Sequence, residues 1–187
     1  MRYSVIIPCY NASATLAACL QSLRDQDFAR EAFEIVVVDD CSTDDSRAIA
    51  AKFGCRIVEC ATNKGPGVAR NLGAETAQGD ILAYTDTDCF VPSGWLRNLD
   101  RHFVDDAVQT VFGGYCGTAR DTPMEVFAFL ECHYRQNHMS FHIELSSTSN
   151  FACRKTAFAA VGGFPLYSLW GADPEAEPFW GNEDMDI

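Results

Sequence analysis

Short apolar runs that alternate with helical patterns constrain the fold of this chain more than any other feature. Residues 3–8, 33–38 and 81–84 are mostly apolar and include β-branched side chains, as buried strands typically do, and residues 56–58 form a shorter run. Segments with helical spacing separate these runs, and the first hundred residues contain no hairpin signal. The alternation predicts βαβ units and a mostly parallel sheet in an α/β domain.

The second half of the chain has a weaker pattern. We expect a strand at residues 108–112, a strand with small hydroxyl side chains at 146–152, and a short helix at 156–161. Gly162 and Gly163 would close that helix, because glycine pairs commonly mark turns.

Acidic residues follow two of the predicted strands. Asp39 and Asp40 come after the second strand, and Asp86 and Asp88 come after the fourth, separated by one residue. Ligands of parallel sheets bind beyond the carboxyl ends of the strands, where the loop at residues 8–11 also lies. Carboxylates are rarely buried without a partner, and divalent cations prefer oxygen ligands. The Asp-x-Asp sequence is therefore a candidate site for a divalent ion that holds phosphates, and a polar turn is the alternative.

The overall charge and the cysteines restrict the partners and the compartment. A net charge of −12 argues against nucleic acid as a partner, since phosphate backbones need clustered Lys and Arg. We identify no signal peptide and no apolar run long enough to span a membrane, so we expect a cytoplasmic location, free or at the inner face of the membrane. The nine cysteines are scattered and include no Cys-x-x-Cys pair, so we expect reduced thiols.

Six stretches of the sequence are informative together because of their order and spacing. They are residues 4–11, 36–44, 63–73, 79–88 and 162–164 and the pair Glu183 and Asp184. In this order they resemble the inverting nucleotide-sugar glycosyltransferases of family two, over nearly the whole chain. The resemblance implies a GT-A fold with a Rossmann-like, mostly parallel central sheet flanked by helices, in one catalytic domain over residues 1–187. Residues 1–112 would be the nucleotide-binding half and residues 113–187 the acceptor-side half.

The resemblance also implies roles for residues near the nucleotide. Pro8 and Tyr10 would form the wall around the base and the ribose. Asp40 would accept a hydrogen bond from the base, with Asp39 beside it, and Lys64 would lie near the nucleotide. The alternatives are that Asp39 or Asp40 caps the following helix and that Lys64 is a solvated turn residue.

The remaining implied roles concern the metal and the chemistry. Asp86 would touch the ribose or the sugar, and Asp88, together with Asp86, would ligate Mn²⁺ or Mg²⁺ that bridges the diphosphate. Asp184 would be the general base, with Glu183 nearby, because inversion by a single displacement needs a carboxylate to take the proton of the acceptor hydroxyl. The alternative for Asp184 is a favourable charge at a helix N-terminus.

The resemblance implies transfer of a sugar from a nucleotide-diphosphate sugar, with UDP as the expected nucleotide, to an acceptor hydroxyl. The acceptor would be a glycan, a lipid-linked molecule or a small molecule of cell-envelope or polysaccharide biosynthesis. One alternative is a non-catalytic or truncated nucleotide-sugar binding module, because family members commonly continue past the Glu-Asp pair. A sugar nucleotidyltransferase ranks lower, because the loop at residues 8–11 contains neither Gly nor a basic residue.

Overall fold

The computed structural model describes residues 1–114 and 148–164. The strands in this part of the chain are β1 (Tyr3–Cys9), β2 (Phe33–Asp39), β3 (Arg56–Glu59), β4 (Ile81–Tyr84), β5 (Thr110–Phe112) and β6 (Phe151–Arg154). The helices are α1 (Leu16–Arg24), α2 (Ser46–Lys52), α3 (Pro66–Thr76), α4 (Trp95–His102) and α5 (Lys155–Ala160). Short 3₁₀ turns occur at Arg30–Ala32 and Thr148–Asn150.

All six strands belong to one sheet, in the order β3-β2-β1-β4-β6-β5. The pairs β1–β2, β2–β3 and β1–β4 are parallel, whereas β6 is antiparallel to both of its neighbours. The prediction of a mostly parallel central sheet in an α/β domain is therefore confirmed. Strand β6 comes from the second half of the chain and lies between β4 and β5, so both halves contribute to one sheet.

The two faces of the sheet are buried in two apolar clusters, which explains why the strands read as continuous apolar runs. Alternate residues of β1 point to opposite faces: Val5 packs with α1 and α4, whereas Ile6 packs with α3. Helix α3 approaches β1 so closely that a Cβ at Gly73 would lie 2.5 Å from Ile6 Cγ2. A glycine at this position therefore lets α3 lie directly against the sheet.

Several element boundaries differ from the sequence-based expectation. Residues 148–150, predicted as part of a strand, form a 3₁₀ turn, because their short polar side chains favour turns, and the strand begins at Phe151. The sequence predicts that helix α3 begins at about Val68, whereas it begins at Pro66, because a fixed φ and a missing N–H suit the first turn of a helix. In residues 1–114 and 148–164, no helix has both the length and the apolar character needed to cross a membrane.

Candidate active site at the carboxyl edge of the sheet

A cleft of about 450 Å³ lies beyond the carboxyl ends of β1, β2 and β4. The chain passes from β1 outward to β2 and β3 and then returns to β4 on the other side of β1, so the strand order reverses here. Open α/β sheets bind ligands at such a point, and the volume is typical of small-molecule sites.

The cleft collects most of the residues that the sequence singled out. Its described lining consists of Pro8, Cys9, Tyr10, Asp40, Asn63, Gly65, Pro66, Arg70, Asp86, Thr87 and Asp88. Pro8, Tyr10, Asp40, Asp86 and Asp88 were all predicted as site residues from the sequence, and they lie together here. Asp184 and Glu183 lie outside the described residues.

Asp40 is almost completely buried, with 3% of its surface exposed, and it holds the loop that leads into α3. Its carboxylate accepts hydrogen bonds from the backbone N–H of Lys64 at 2.9 and 3.1 Å and of Gly65 at 2.7 Å. Gly65 has a φ of 86°, in the region that favours glycine, and this turn presents both N–H groups to one carboxylate. Asp40 thus anchors the loop before α3 rather than capping the next helix, α2.

Asp39 and Lys64 occupy different places from Asp40. Asp39 is buried, accepts the backbone N–H of Ser42 at 3.3 Å and lies 3.6 Å from the Arg47 guanidinium. It is not among the described residues that line the cleft. Lys64 lines a neighbouring groove next to α5. Its contact with Asp40 is made by its backbone N–H.

Tyr10 lies in a loop that is tied to the loop after β2. The backbone N–H of Asn11 donates to Ser42 Oγ at 3.0 Å, and Asn11 Oδ1 accepts the backbone N–H of Thr43 at 2.8 Å. Asn11 adopts a φ of 48°, which an Asn side chain tolerates better than most. The turn leaves Tyr10 52% exposed, so an aromatic face is available at the mouth of the cleft.

Asp86 and Asp88 are more open than the carboxylates after β2. The Asp86 side chain is 32% exposed, and Asp88 is exposed. Arg70 Nη2, on α3, donates to Asp86 Oδ1 at 2.7 Å. The sequence analysis missed Arg70, although its helical register gives a signal: it falls on the buried face of α3 with Ala69. An arginine at such a position needs a carboxylate partner.

The donor atoms of the cleft suit a hard divalent cation that arrives with a ligand. Within residues 1–114 and 148–164, no group of three or more His, Cys, Asp and Glu side chains could hold a metal ion. Mg²⁺ is usually bound through one or two carboxylates together with substrate phosphates, and manganese accepts the same oxygen donors. Asp88 and Asp86 therefore suit a Mn²⁺ or Mg²⁺ ion that binds together with a diphosphate better than an ion held by protein ligands alone.

The described cysteines near the cleft are neutral thiols at physiological pH. Burial, followed by the negative charge of Asp40, raises the pKa of the Cys60 thiol to about 11. Burial also raises the pKa of Cys9 and Cys89. All seven cysteines of the described residues are free, as the sequence analysis expected. The thiolate form that acts as a nucleophile is therefore suppressed at these three positions.

Comparison with known proteins adds sequence and structural relatives. One is the poly(ribitol-phosphate) beta-N-acetylglucosaminyltransferase TarS of Staphylococcus aureus strain Mu50, which is 36% identical over 114 residues. The matched region covers 56% of this chain and 20% of TarS. The chain thus spans only a fifth of the length of that relative.

Two solved structures share the fold. TarS 1–349 of S. aureus in complex with UDP-GlcNAc has a TM-score of 0.70 at 24% identity, over 88% of this chain and 49% of that chain. The mannosyltransferase PcManGT of Pyrobaculum calidifontis, in complex with GDP-Man and Mn²⁺, has a TM-score of 0.70 at 25% identity. That match covers 88% of this chain and 48% of PcManGT.

The family model described as "Glycosyl transferase family 2" matches residues 4–162. The match includes every described residue of the cleft and all six strands of the sheet except Tyr3, the first residue of β1. This protein therefore belongs to glycosyl transferase family 2.

Proposed function

We propose that this protein transfers a sugar from a nucleoside-diphosphate sugar, with UDP as the nucleotide, to an acceptor hydroxyl. The observation that carries the proposal is the cleft itself, in which an aromatic wall, a buried carboxylate and two open carboxylates lie together. The aromatic wall and the buried carboxylate would suit the base of such a donor, and the two open carboxylates would suit its ribose, its diphosphate and a metal ion. The acceptor is a glycan, a lipid-linked molecule or a small molecule.

Tyr10, Pro8 and Asp40 form the end of the cleft that we propose for the base. The exposed ring of Tyr10 offers an aromatic face against which a flat heterocycle packs. The backbone N–H groups of Lys64 and Gly65 hold the carboxylate of Asp40, and in our proposal a base N–H is a further donor to it. The backbone contacts also hold the carboxylate in place before the ligand arrives.

Asp88 and Asp86 form the end that we propose for the diphosphate and its metal ion. Asp88 would ligate Mn²⁺ or Mg²⁺, and Asp86 would contribute to the same ion or to the ribose. A divalent ion at this place would offset the negative charge that develops on the diphosphate leaving group. The description of PcManGT with GDP-Man and Mn²⁺ supports this assignment.

The chemistry that we propose is a single displacement with inversion at the anomeric carbon. The acceptor hydroxyl would lose its proton to Asp184 as it attacks, with Glu183 as the adjacent carboxylate in the sequence. The bond from the anomeric carbon to the phosphate oxygen breaks in the same step. The nucleoside diphosphate leaves with the electron pair of that bond.

The experiment that tests this proposal is titration calorimetry of the 187-residue chain with UDP, GDP and CDP, each with Mn²⁺ and with EDTA. We expect one nucleotide, UDP, to bind in the presence of Mn²⁺ and to lose at least about tenfold in affinity in EDTA, a change of 1.4 kcal/mol. Asp88→Asn should cause a similar loss. Asp80→Asn is the matched control, because Asp80 is an exposed aspartate just before β4, at the opposite end of the strand.

An assay of UDP release, combined with the titration, distinguishes a transferase from a binding module. Release of UDP from UDP-GlcNAc with a suitable acceptor, abolished in Asp184→Asn while nucleotide binding is kept, supports transfer. Binding without any turnover in the presence of acceptors indicates a nucleotide-sugar binding module. Equal binding with Mn²⁺ and with EDTA, or no binding of any nucleotide, would overturn the proposal.

A further inference from the structure

Arg70 is the single basic side chain among the described residues that line the cleft. It is 9% exposed, so its guanidinium has lost most of its water. Burial of a charge is costly unless the charge is paired, which makes the partners of Arg70 informative about its role.

The contacts of Arg70 point to the side chain of Asp86. Arg70 Nη2 donates to Asp86 Oδ1 at 2.7 Å, whereas Arg70 Nε is buried and has no hydrogen-bond partner among the described residues. Among the described residues, the charge-assisted contact with Asp86 is the hydrogen bond that Arg70 makes.

Phe164 provides the second contact of Arg70. The guanidinium lies 6.0 Å from the centre of the Phe164 ring, at the limit of a cation–π contact. Phe164 also packs edge-on against Tyr84 at 5.2 Å and against Phe158 at 5.3 Å. The ring is therefore held in an aromatic cluster, and it limits where the arginine side chain can go.

Asn71, the next residue of α3, fixes the backbone of Phe164. Asn71 Nδ2 donates to Phe164 O at 2.8 Å, and Asn71 Oδ1 accepts the Phe164 N–H at 2.8 Å. Gly163 lies so close that a Cβ there would be 2.7 Å from Asn71 Oδ1. Asn71 thus holds the backbone of Phe164, and Arg70 contacts its ring. Through these two neighbouring residues, α3 connects the turn after α5 to the cleft.

We propose that Arg70 is a positioning residue that holds Asp86 by Oδ1 and leaves Oδ2 free for the ligand, with Asn71 and Phe164 keeping Arg70 in place. The inference deepens the proposed function and rests on it. An unpaired Asp86 would rotate among its rotamers and would stand as a second uncompensated carboxylate beside Asp88. The pair with Arg70 removes both effects before the nucleotide and its metal ion bind.

A double-mutant cycle tests this role through two readouts: UDP affinity by calorimetry and Mn²⁺ affinity by the electron paramagnetic resonance signal of free Mn²⁺ in the presence of UDP. The chains are the wild type, Arg70→Met, Asp86→Asn and the double variant. We expect Arg70→Met to weaken both affinities about tenfold or more, as loss of a group that orients a metal ligand does. In the Asp86→Asn background the same change should cost less than about twofold, because the partner is already gone.

The control is Arg47→Met, since Arg47 pairs with Asp39, which is not among the described lining residues of the cleft. It should change both affinities by less than about twofold. Asn71→Leu should weaken binding in the wild type and have little further effect in Arg70→Met. If Arg70→Met proves too unstable at the assay temperature, Arg70→Lys replaces it in the cycle with the same criterion.

The outcomes distinguish this inference from the proposed function. A wild-type chain that binds no nucleotide with Mn²⁺ overturns both. A wild-type chain that binds, with an Arg70→Met loss of equal size in both backgrounds, overturns the inference alone, because Arg70 would then contact the ligand itself. Unchanged affinities in Arg70→Met also overturn the inference and leave the arginine a purely structural role.

Discussion

The two acidic strand ends of this sheet look alike in sequence and differ in structure. After β2, Asp39 and Asp40 are 2% and 3% exposed and accept hydrogen bonds from backbone N–H groups. After β4, the Asp86 side chain is 32% exposed and pairs with an arginine, and Asp88 is exposed. The carboxylates after β2 are buried and hold backbone N–H groups, whereas the carboxylates after β4 stay open to solvent.

Each strand end also has its own arginine. Arg47 is half exposed and lies 3.6 Å from Asp39, outside the described lining of the cleft. Arg70 is nearly buried and lies 2.7 Å from Asp86, inside it. Water screens the first pair and much less of the second, so the two arginines should differ in what they contribute. The comparison therefore separates residues that stabilise the fold from residues that prepare the site.

Asp40→Ala should have the largest effect on stability. It leaves the partly buried N–H groups of Lys64 and Gly65 without their acceptor, and lost hydrogen bonds to a charged group cost about 1.5–3 kcal/mol each. We expect the free energy of unfolding to fall by about 3–5 kcal/mol, measured by urea denaturation followed by circular dichroism. A loss below about 1 kcal/mol would show that the loop before α3 does not depend on this carboxylate.

Asp88→Ala should weaken ligand binding and leave the stability of the fold almost unchanged. Asp88 is exposed, so its removal should change the free energy of unfolding by less than about 0.5 kcal/mol. The affinity for UDP with Mn²⁺ should nevertheless fall at least about tenfold, a change of 1.4 kcal/mol. Asp80→Ala, at the other end of the same strand, is the control for both measurements. Equal binding by the two variants would remove the distinction between the two strand ends.

Most of the fold and part of the site could be predicted from the sequence because they depend on local patterns. The apolar runs predict a sheet that is buried on both faces, and the rule for parallel strands places Asp40, Asp86 and Asp88 at one edge. Those three side chains do line one cleft.

The partners of these carboxylates could not be predicted, because they depend on how α3 docks against the sheet. The sequence interpretation placed Lys64 near the nucleotide without a partner, and in the structure its backbone N–H binds Asp40, 24 residues earlier. Arg70 reaches Asp86 across 16 residues for the same reason. Neither contact leaves a periodic signal, although an arginine on a buried helix face signals that a partner exists.

Gly65→Ala sharpens the comparison by changing the geometry of the loop that Asp40 holds. Nothing lies within 4 Å of a Cβ at this position, so the cost comes from the backbone conformation alone, with a φ of 86°. With a ψ of 164°, Gly65 lies in a region essentially restricted to glycine, where strain costs roughly 1–3 kcal/mol, and we expect the free energy of unfolding to fall by that amount. Gly54→Ala, at a φ of 67° and equally open, controls for the general effect of such a substitution.

The two glycines should then differ in ligand binding. Gly65→Ala should weaken UDP binding, because its N–H is one of those that hold Asp40 in the cleft, whereas Gly54→Ala should not. Equal effects of both substitutions on UDP affinity, measured by calorimetry, would indicate that the loop before α3 does not shape the site.

Arg47→Met should have the smallest effect. The Arg47 side chain is 49% exposed, and its guanidinium lies 3.6 Å from Asp39 and 2.9 Å from Glu59. Ion pairs that are this exposed contribute at most about 1 kcal/mol. Asp39 also keeps the N–H of Ser42, so it is not left without a partner. We expect a loss of less than about 1 kcal/mol in the free energy of unfolding, which 0.5 M NaCl should reduce further by screening. If Arg47→Met instead lowers the free energy of unfolding as much as Arg70→Met does, with salt changing neither loss, both arginines act as structural charges. In that case burial would not distinguish the two strand ends.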